Sequence, residues 1–199
     1  MSSLSLRPSL FDIENAGMRA VVLEAADVSL MQQFFHANPG YFLTVFGHPP
    51  RTDEAQREWD DLPPADMTFS RRLHIGFVDG AGELIGVAGV LADFLCEGVW
   101  HIGLFVVATS LHGGGVSRKI HAQLEKWMKQ EGAQWVRLGV IEGNTRGERF
   151  WERSGYSEVR RRLGVEMGNR VNTLRVMVKT LGGGSLEAYL KLVTRDRPE

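Results

Sequence analysis

A chain of 199 residues with 43% hydrophobic and 24% charged residues has the balance of an ordinary globular domain. Its net charge of −1 gives no global attraction to nucleic acid or to an anionic membrane. The single cysteine, Cys96, excludes an internal disulfide, and no run approaches the roughly eighteen consecutive apolar residues of a membrane span. The expected setting is a reducing cytoplasm. In chain order, residues 1–17 read as a loose N-terminal extension, because Pro8 and Asp12 interrupt any apolar run. "MRAVVLEA" reads as a first strand. "DVSLMQQFFHAN" reads as a helix with Asp27 as N-cap and Pro39 as its stop. Residues 40–70 are Pro-interrupted, with a short acidic helix near "TDEAQREW".

"RLHIGFV" and "LIGVAGVLADF" flank the turn "DGAGE" and predict a hairpin. "VWHIGLFVVA" is β-branched and aromatic enough for a central strand, whose alternation places His101, Gly103, Phe105 and Val107 on one face. "VSRKIHAQLEKWMKQE" sets Val116, Ile120, Leu124, Trp127 and Met128 on one helical face, with Gly132 past its end. "WVRLGV" is a strand, and "NTRGERFWERSG" is a helix capped by Asn144. "YSEVRRRLGVEM" and "NTLRVMVKTL" close the sheet. Residues 182–199 read as a glycine joint followed by the short helix "SLEAYLKLV".

The triplet Gly113–Gly115 lies between a strand and a well-formed helix. Such a turn points several amides and a helix N-terminus at one spot, which suits an anion, although it matches neither GxxxxGK[ST] nor GxGxxG. The order of the central block, with His112-Gly113-Gly114-Gly115-Val116-Ser117 and the later phrase "NTRGERFWERSGY", resembles the GNAT family of acyl-CoA-dependent N-acyltransferases. In element order the resemblance covers residues 18 to 181, read as one N-acetyltransferase domain, and its specific wording falls within 99 to 162. It implies a mixed α/β fold, a mostly antiparallel sheet of six to seven strands flanked by helices. It also implies acetyl-CoA as co-substrate, no metal, a small amine or peptide as acceptor, and a homodimer as a common assembly.

Carried over residue by residue, the resemblance assigns coenzyme A to Val107, His112, Gly113, Gly115, Val116, Ser117, Arg118, Asn144 and Trp151. His112 stands where the family has Arg or Gln, and Ser117 where it has Gly or Ala. Trp151 stands where a tyrosine often protonates the departing thiolate. An indole cannot supply that proton, so Trp151 is read as packing. His101, at the offset of the family's base, is the expected proton acceptor, with an unperturbed pKa near 6.5. Glu97 is a second candidate catalytic group, and Asp93, Tyr41 and Phe42 are candidate acceptor contacts. The acidic run 53–66 offers attraction to a cationic amine, as well as a plain solvated face. The alternative function is a non-catalytic acyl-CoA-binding or sensing module of the same fold.

Overall fold

The computed structural model describes residues 3–14 and 16–198. One sheet of eight strands runs in the order β1-β2-β3-β4-β5-β6-β8-β7. The strands are β1 (Phe11–Ile13), β2 (Met18–Val22), β3 (Arg71–Val78), β4 (Leu84–Ala92), β5 (Val99–Val107), β6 (Trp135–Ile141), β7 (Ser157–Met167) and β8 (Arg170–Thr180). The helices are α1 (Val28–Ala37), α2 (Gly40–Val45), α3 (Glu54–Asp60), α4 (Val116–Gln130), α5 (Thr145–Arg153) and α6 (Leu186–Leu192). Every neighbouring pair is antiparallel except β5 and β6. The architecture is the expected mixed α/β sheet, with one strand more than the upper expected count.

The additional strand comes from the segment expected to be loose. Phe11–Ile13 pairs with β2, Ile13 is buried, and Leu4 is buried against the α1 side of the sheet. Three residues are too short to show a period, which hides β1 from pattern reading. The segment after residue 181 is likewise packed. Ser185 caps α6 through the Ala188 amide, and Tyr189 and Val193 are buried with Val99, Trp135 and Val178.

Two layers cover the sheet. On one face α4 buries Ile120, Leu124, Trp127 and Met128 against Val90, Trp100, Ile102 and Leu138. That stripe at helical spacing is what the sequence dictates for a half-buried helix. On the other face α1 buries Met31, Phe34 and Phe35 against Val21, Val87, Leu104 and Val106. Asp27 is not the simple side-chain N-cap of α1. Its carboxylate instead accepts the Glu24 amide and pairs with Arg7. Pro39 does end α1, but it also opens α2, because its fixed φ suits the start of a helix.

Candidate active site

Strand β5 pairs with β6 only from Val99↔Trp135 to Ile102↔Leu138. Beyond Ile102 no parallel partner remains, and the two strands part. On its other side β5 shifts register against β4, from Gly89↔Leu104 to Val90↔Ile102, so Gly103 is the extra residue of a bulge. The bulge inverts the alternation. Phe105 and Val107 pack with Ile102 on the α4 face, while Leu104 and Val106 lie on the α1 face. His101 therefore does not share a face with Phe105 and Val107, because simple alternation fails across an inserted residue.

The Ala108 N–H donates to the Ile85 carbonyl on β4 at 2.9 Å. Antiparallel alternation then turns the Val107 N–H and C=O away from β4, toward the gap left by β6. The Val107 carbonyl accepts from His112 Nε2 at 2.9 Å, which leaves the Val107 N–H facing the gap. A cleft of about 1250 Å³ passes through this opening.

One end of the cleft is the start of α4. Gly113 and Gly115 hold φ of +85° and +79°, a region open to glycine and strained for L side chains, and Gly115 is the N-cap. No side chain caps the helix, and Lys119 supplies the first amide bonded back to Gly115. The amides of Val116, Ser117 and Arg118 precede it and are left for an external acceptor, at the positive end of the helix dipole. Gly113, Gly115, Ser117 and Arg118 line the cleft, whereas the Val116 side chain packs into the core beneath them. If this turn holds the coenzyme A that the resemblance implies, a Gly115→Val variant is expected to weaken that binding about tenfold or more by straining the turn, read by calorimetric titration. Unchanged affinity would exclude the turn from the binding site.

Asn144 and Trp151 line the cleft from α5. Asn144 Oδ1 accepts the Gly147 amide at 3.1 Å, so its side chain is a helix cap. Trp151 is buried in an aromatic cluster, with ring centroids 5.6 Å from Phe105, 5.1 Å from His121 and 5.3 Å from Tyr156. This is the packing role expected of it. Tyr156 does not line the cleft: its hydroxyl meets His121 at 3.1 Å, and burial pushes its phenol well up.

The other half of the cleft lies on the α1 face. Tyr41, Glu58, Arg72, His74, Gly89, His101 and Arg137 line it. His101 Nδ1 lies 3.1 Å from the Arg137 carbonyl and 3.4 Å from Arg137 Nη1, and Nε2 is turned toward Gly103. Phe94 stacks on the ring at 4.7 Å. Burial, then the neighbouring Arg137 guanidinium, hold His101 down to about 3. Such a ring is a good hydrogen-bond acceptor and a weak proton acceptor, which weakens the base role expected of it.

Three other expected residues lie away from the cleft lining. Phe42 is buried under α1, because its helix turns it inward onto Phe35 at 4.9 Å. Asp93 is spent on structure: its carboxylate accepts the Gly98 amide at 2.8 Å and the Ser70 hydroxyl at 2.5 Å, closing the β4–β5 turn. Glu97 is exposed on that same turn.

One residue not singled out as a site does face the cleft. Among the acidic side chains of the 53–60 segment, Asp53 pairs with Arg57, Glu54 accepts the Arg51 amide, and Asp60 accepts from Gln56. Glu58 turns inward instead, over Gly89. Burial, then the nearby Asp61 carboxylate, push it up to about 7 against the pull of Arg72. Sequence reading saw only one carboxylate among several, and no spacing rule separates it from its neighbours.

The family model described as Acetyltransferase (GNAT) family matches residues 29–156. Among solved structures, an acetyltransferase from Thermus thermophilus superposes with a TM-score of 0.64 at 17% identity, covering 82% of this chain and 97% of that one. A spermidine N-acetyltransferase from Vibrio cholerae, in complex with CoA and spermine, gives 0.63 at 14% identity, covering 82% and 95%. The ribosomal-protein alanine N-acetyltransferase from Escherichia coli gives 0.61 at 11% identity, covering 84% and 96%. At these identities the structures speak for the fold alone. No curated protein matches the sequence. The strand that parts from its neighbour, the glycine turn into α4 and the match over most of the chain lead to one conclusion: this protein belongs to the acetyltransferase (GNAT) family.

Proposed function

We propose that the protein transfers an acetyl group from acetyl-CoA to a primary amine of a small molecule or peptide by direct attack. The observation that carries the reading is the convergence of two sets of unbonded backbone donors on one cleft: the uncapped first turn of α4 and the Val107 N–H at the parted edge of β5. A diphosphate fits the first set, because three amides and a helix dipole favour an anion there and Arg118 adds a cation. Acetyl-CoA supplies an activated thioester when bound. The Val107 N–H polarises an acyl oxygen brought into the gap, and the Gly103 bulge leaves that gap open. His112 holds the Val107 carbonyl and so fixes the peptide plane from which that N–H points. Trp151 and Phe150 wall the gap from α5. Cys96 has no place in this chemistry: it does not line the cleft, and burial followed by Asp93 pushes its thiol up.

Thiol release from acetyl-CoA, followed across polyamines, amino acids, aminoglycosides and short peptides, tests the reading. Amine-dependent release with a matching acetylated product is expected. Binding of acetyl-CoA with no release from any acceptor class would favour the non-catalytic sensing module, to which the packed Trp151 is equally suited.

A further inference from the structure

We propose that Glu58 of α3 is the residue that docks the acceptor's ammonium group and takes its proton. The inference rests on the acetyltransferase reading above and assigns the proton transfer within it.

A β-carbon at Gly89 would lie 3.2 Å from Glu58 Oε1, so the carboxylate rests directly over the bare backbone of β4. Gly89 pairs with Leu104, the residue that follows the bulge. The carboxylate therefore stands one strand away from the place where β5 opens toward the acyl group. Gly89 and Gly103 give two neighbouring strands no side chain at this level, and both line the cleft, while the Leu174 side chain covers Gly139 on β6. The floor between Glu58 and the parted edge is thus clear for an acceptor.

The surroundings of Glu58 leave it available. No hydrogen bond or ion pair engages its carboxylate among the described residues, in contrast to the neighbouring acids of the same segment. Arg72, the nearby cation on β3, gives its two terminal nitrogens to the Trp59 and Asp61 carbonyls, each at 2.5 Å. His74, also on β3, stacks on Trp59 at 4.5 Å and is held neutral by burial and then by Arg72. Tyr41 on α2 faces Glu58 and stays a phenol, pushed up by burial and then by Glu58 itself. Glu54 and Asp61 add negative charge from the same segment, which favours a cation beside Glu58 and raises the carboxylate's proton affinity. His101 sits in the same half of the cleft with a far lower proton affinity.

One N–H bond of the bound ammonium breaks and an O–H bond forms at Glu58. The freed lone pair forms the C–N bond at the acetyl carbon while the C–S bond breaks, its electron pair leaving on sulfur. A second N–H proton goes to that sulfur. Glu58 then discharges its proton to solvent, leaving an amide, a thiol and one released proton.

The test is the pH dependence of kcat/KM in the full chain, with the best acceptor from the amine panel, for wild type, Glu58→Gln, Glu58→Asp and His101→Gln. The expected wild-type profile rises through pH ~7, where Glu58 loses its proton. Glu58→Gln is expected to lower kcat/KM about 100-fold and to lose that rise, with acetyl-CoA affinity unchanged. Glu58→Asp is expected to keep the rise at a reduced rate. The Gln variant is expected to fold: the native state holds this proton to higher pH than the unfolded chain, so the ionised carboxylate costs stability as pH rises, and Gln removes that cost. Carboxyl carbon NMR of glutamate-labelled wild type gives an independent reading, in which one signal, absent from Glu58→Gln, titrates near 7. Wild-type rate and profile in Glu58→Gln, loss of the rise in His101→Gln instead, or no such NMR signal would each overturn the proposal and leave the transferase standing. Wild type inactive with every amine would overturn both.

Discussion

Asp196→Ala lowers stability by about 3–5 kcal/mol, the cost of leaving a buried guanidinium without its counter-charge. Arg137 Nε and Nη2 donate to the two Asp196 oxygens at 2.6 and 3.1 Å, and the Tyr189 hydroxyl donates to Oδ2 at 2.5 Å. All three residues are buried. Burial opposes the charge on Asp196, but the Arg137 bonds win and its carboxyl is held below the usual range. For a chain of this size each kcal/mol moves the melting temperature by roughly 2–4 °C, so a drop of roughly 6–20 °C is expected by thermal melting. A drop under about 2 °C would mean that the triad does not bury its charges as described. The same change is expected to reach the cleft, because Arg137 lines it and contacts the His101 ring through both its carbonyl and its guanidinium. The C-terminal segment thus braces a wall of the site on the same face of the sheet as His101.

The second large effect is acid sensitivity. His74, His101 and His121 are all held neutral by burial first, then by Arg72, Arg137 and Lys179 respectively, at about 4, 3 and 3. His121 also lies 3.5 Å from Glu125, yet that carboxylate is claimed by Lys179 at 2.6 Å and leaves the ring neutral. In the unfolded chain each histidine takes up a proton near 6.5. The folded state does not, so the stability these rings contribute is fully present above pH 6.5 and is lost as pH falls toward 4. Each fully buried ring contributes a slope approaching about 1.4 kcal/mol per pH unit in that window. Urea melts at pH 7.5, 6.5, 5.5 and 4.5 are expected to show stability falling below pH 6.5, where the three rings outweigh the opposing gain from reprotonating Glu58. His121→Phe, which keeps the aromatic packing, is expected to flatten part of that fall. A profile flat down to pH 4.5 would contradict the neutral burial of these rings.

These two effects also mark where sequence reading reaches and where it stops. Helix α4 and its glycine turn were legible because an apolar stripe and a glycine before it are local signals. Asn144 was legible as a cap for the same reason. The pairing of Arg137 with Asp196 joins residues 59 apart in the chain, and no local pattern carries it. The face of His101 was misread because a single inserted residue at Gly103 inverts alternation, and an insertion is visible only against its partner strand β4. Helix α2 was missed because Pro39 signals both an end and a start. Glu58 was one acid in an acidic run, and only the fold turns it over Gly89 while its neighbours find local partners.

In the function proposed above, the parted edge of β5 and the first turn of α4 together hold acyl-CoA. Hydrogen exchange of backbone amides, measured with and without acetyl-CoA, tests it most directly. The predicted result is slowed exchange concentrated in residues 103–107 and 113–118, with α1 and β1 unchanged. Exchange unaltered in both segments at saturating acetyl-CoA, or slowed only elsewhere, would contradict it.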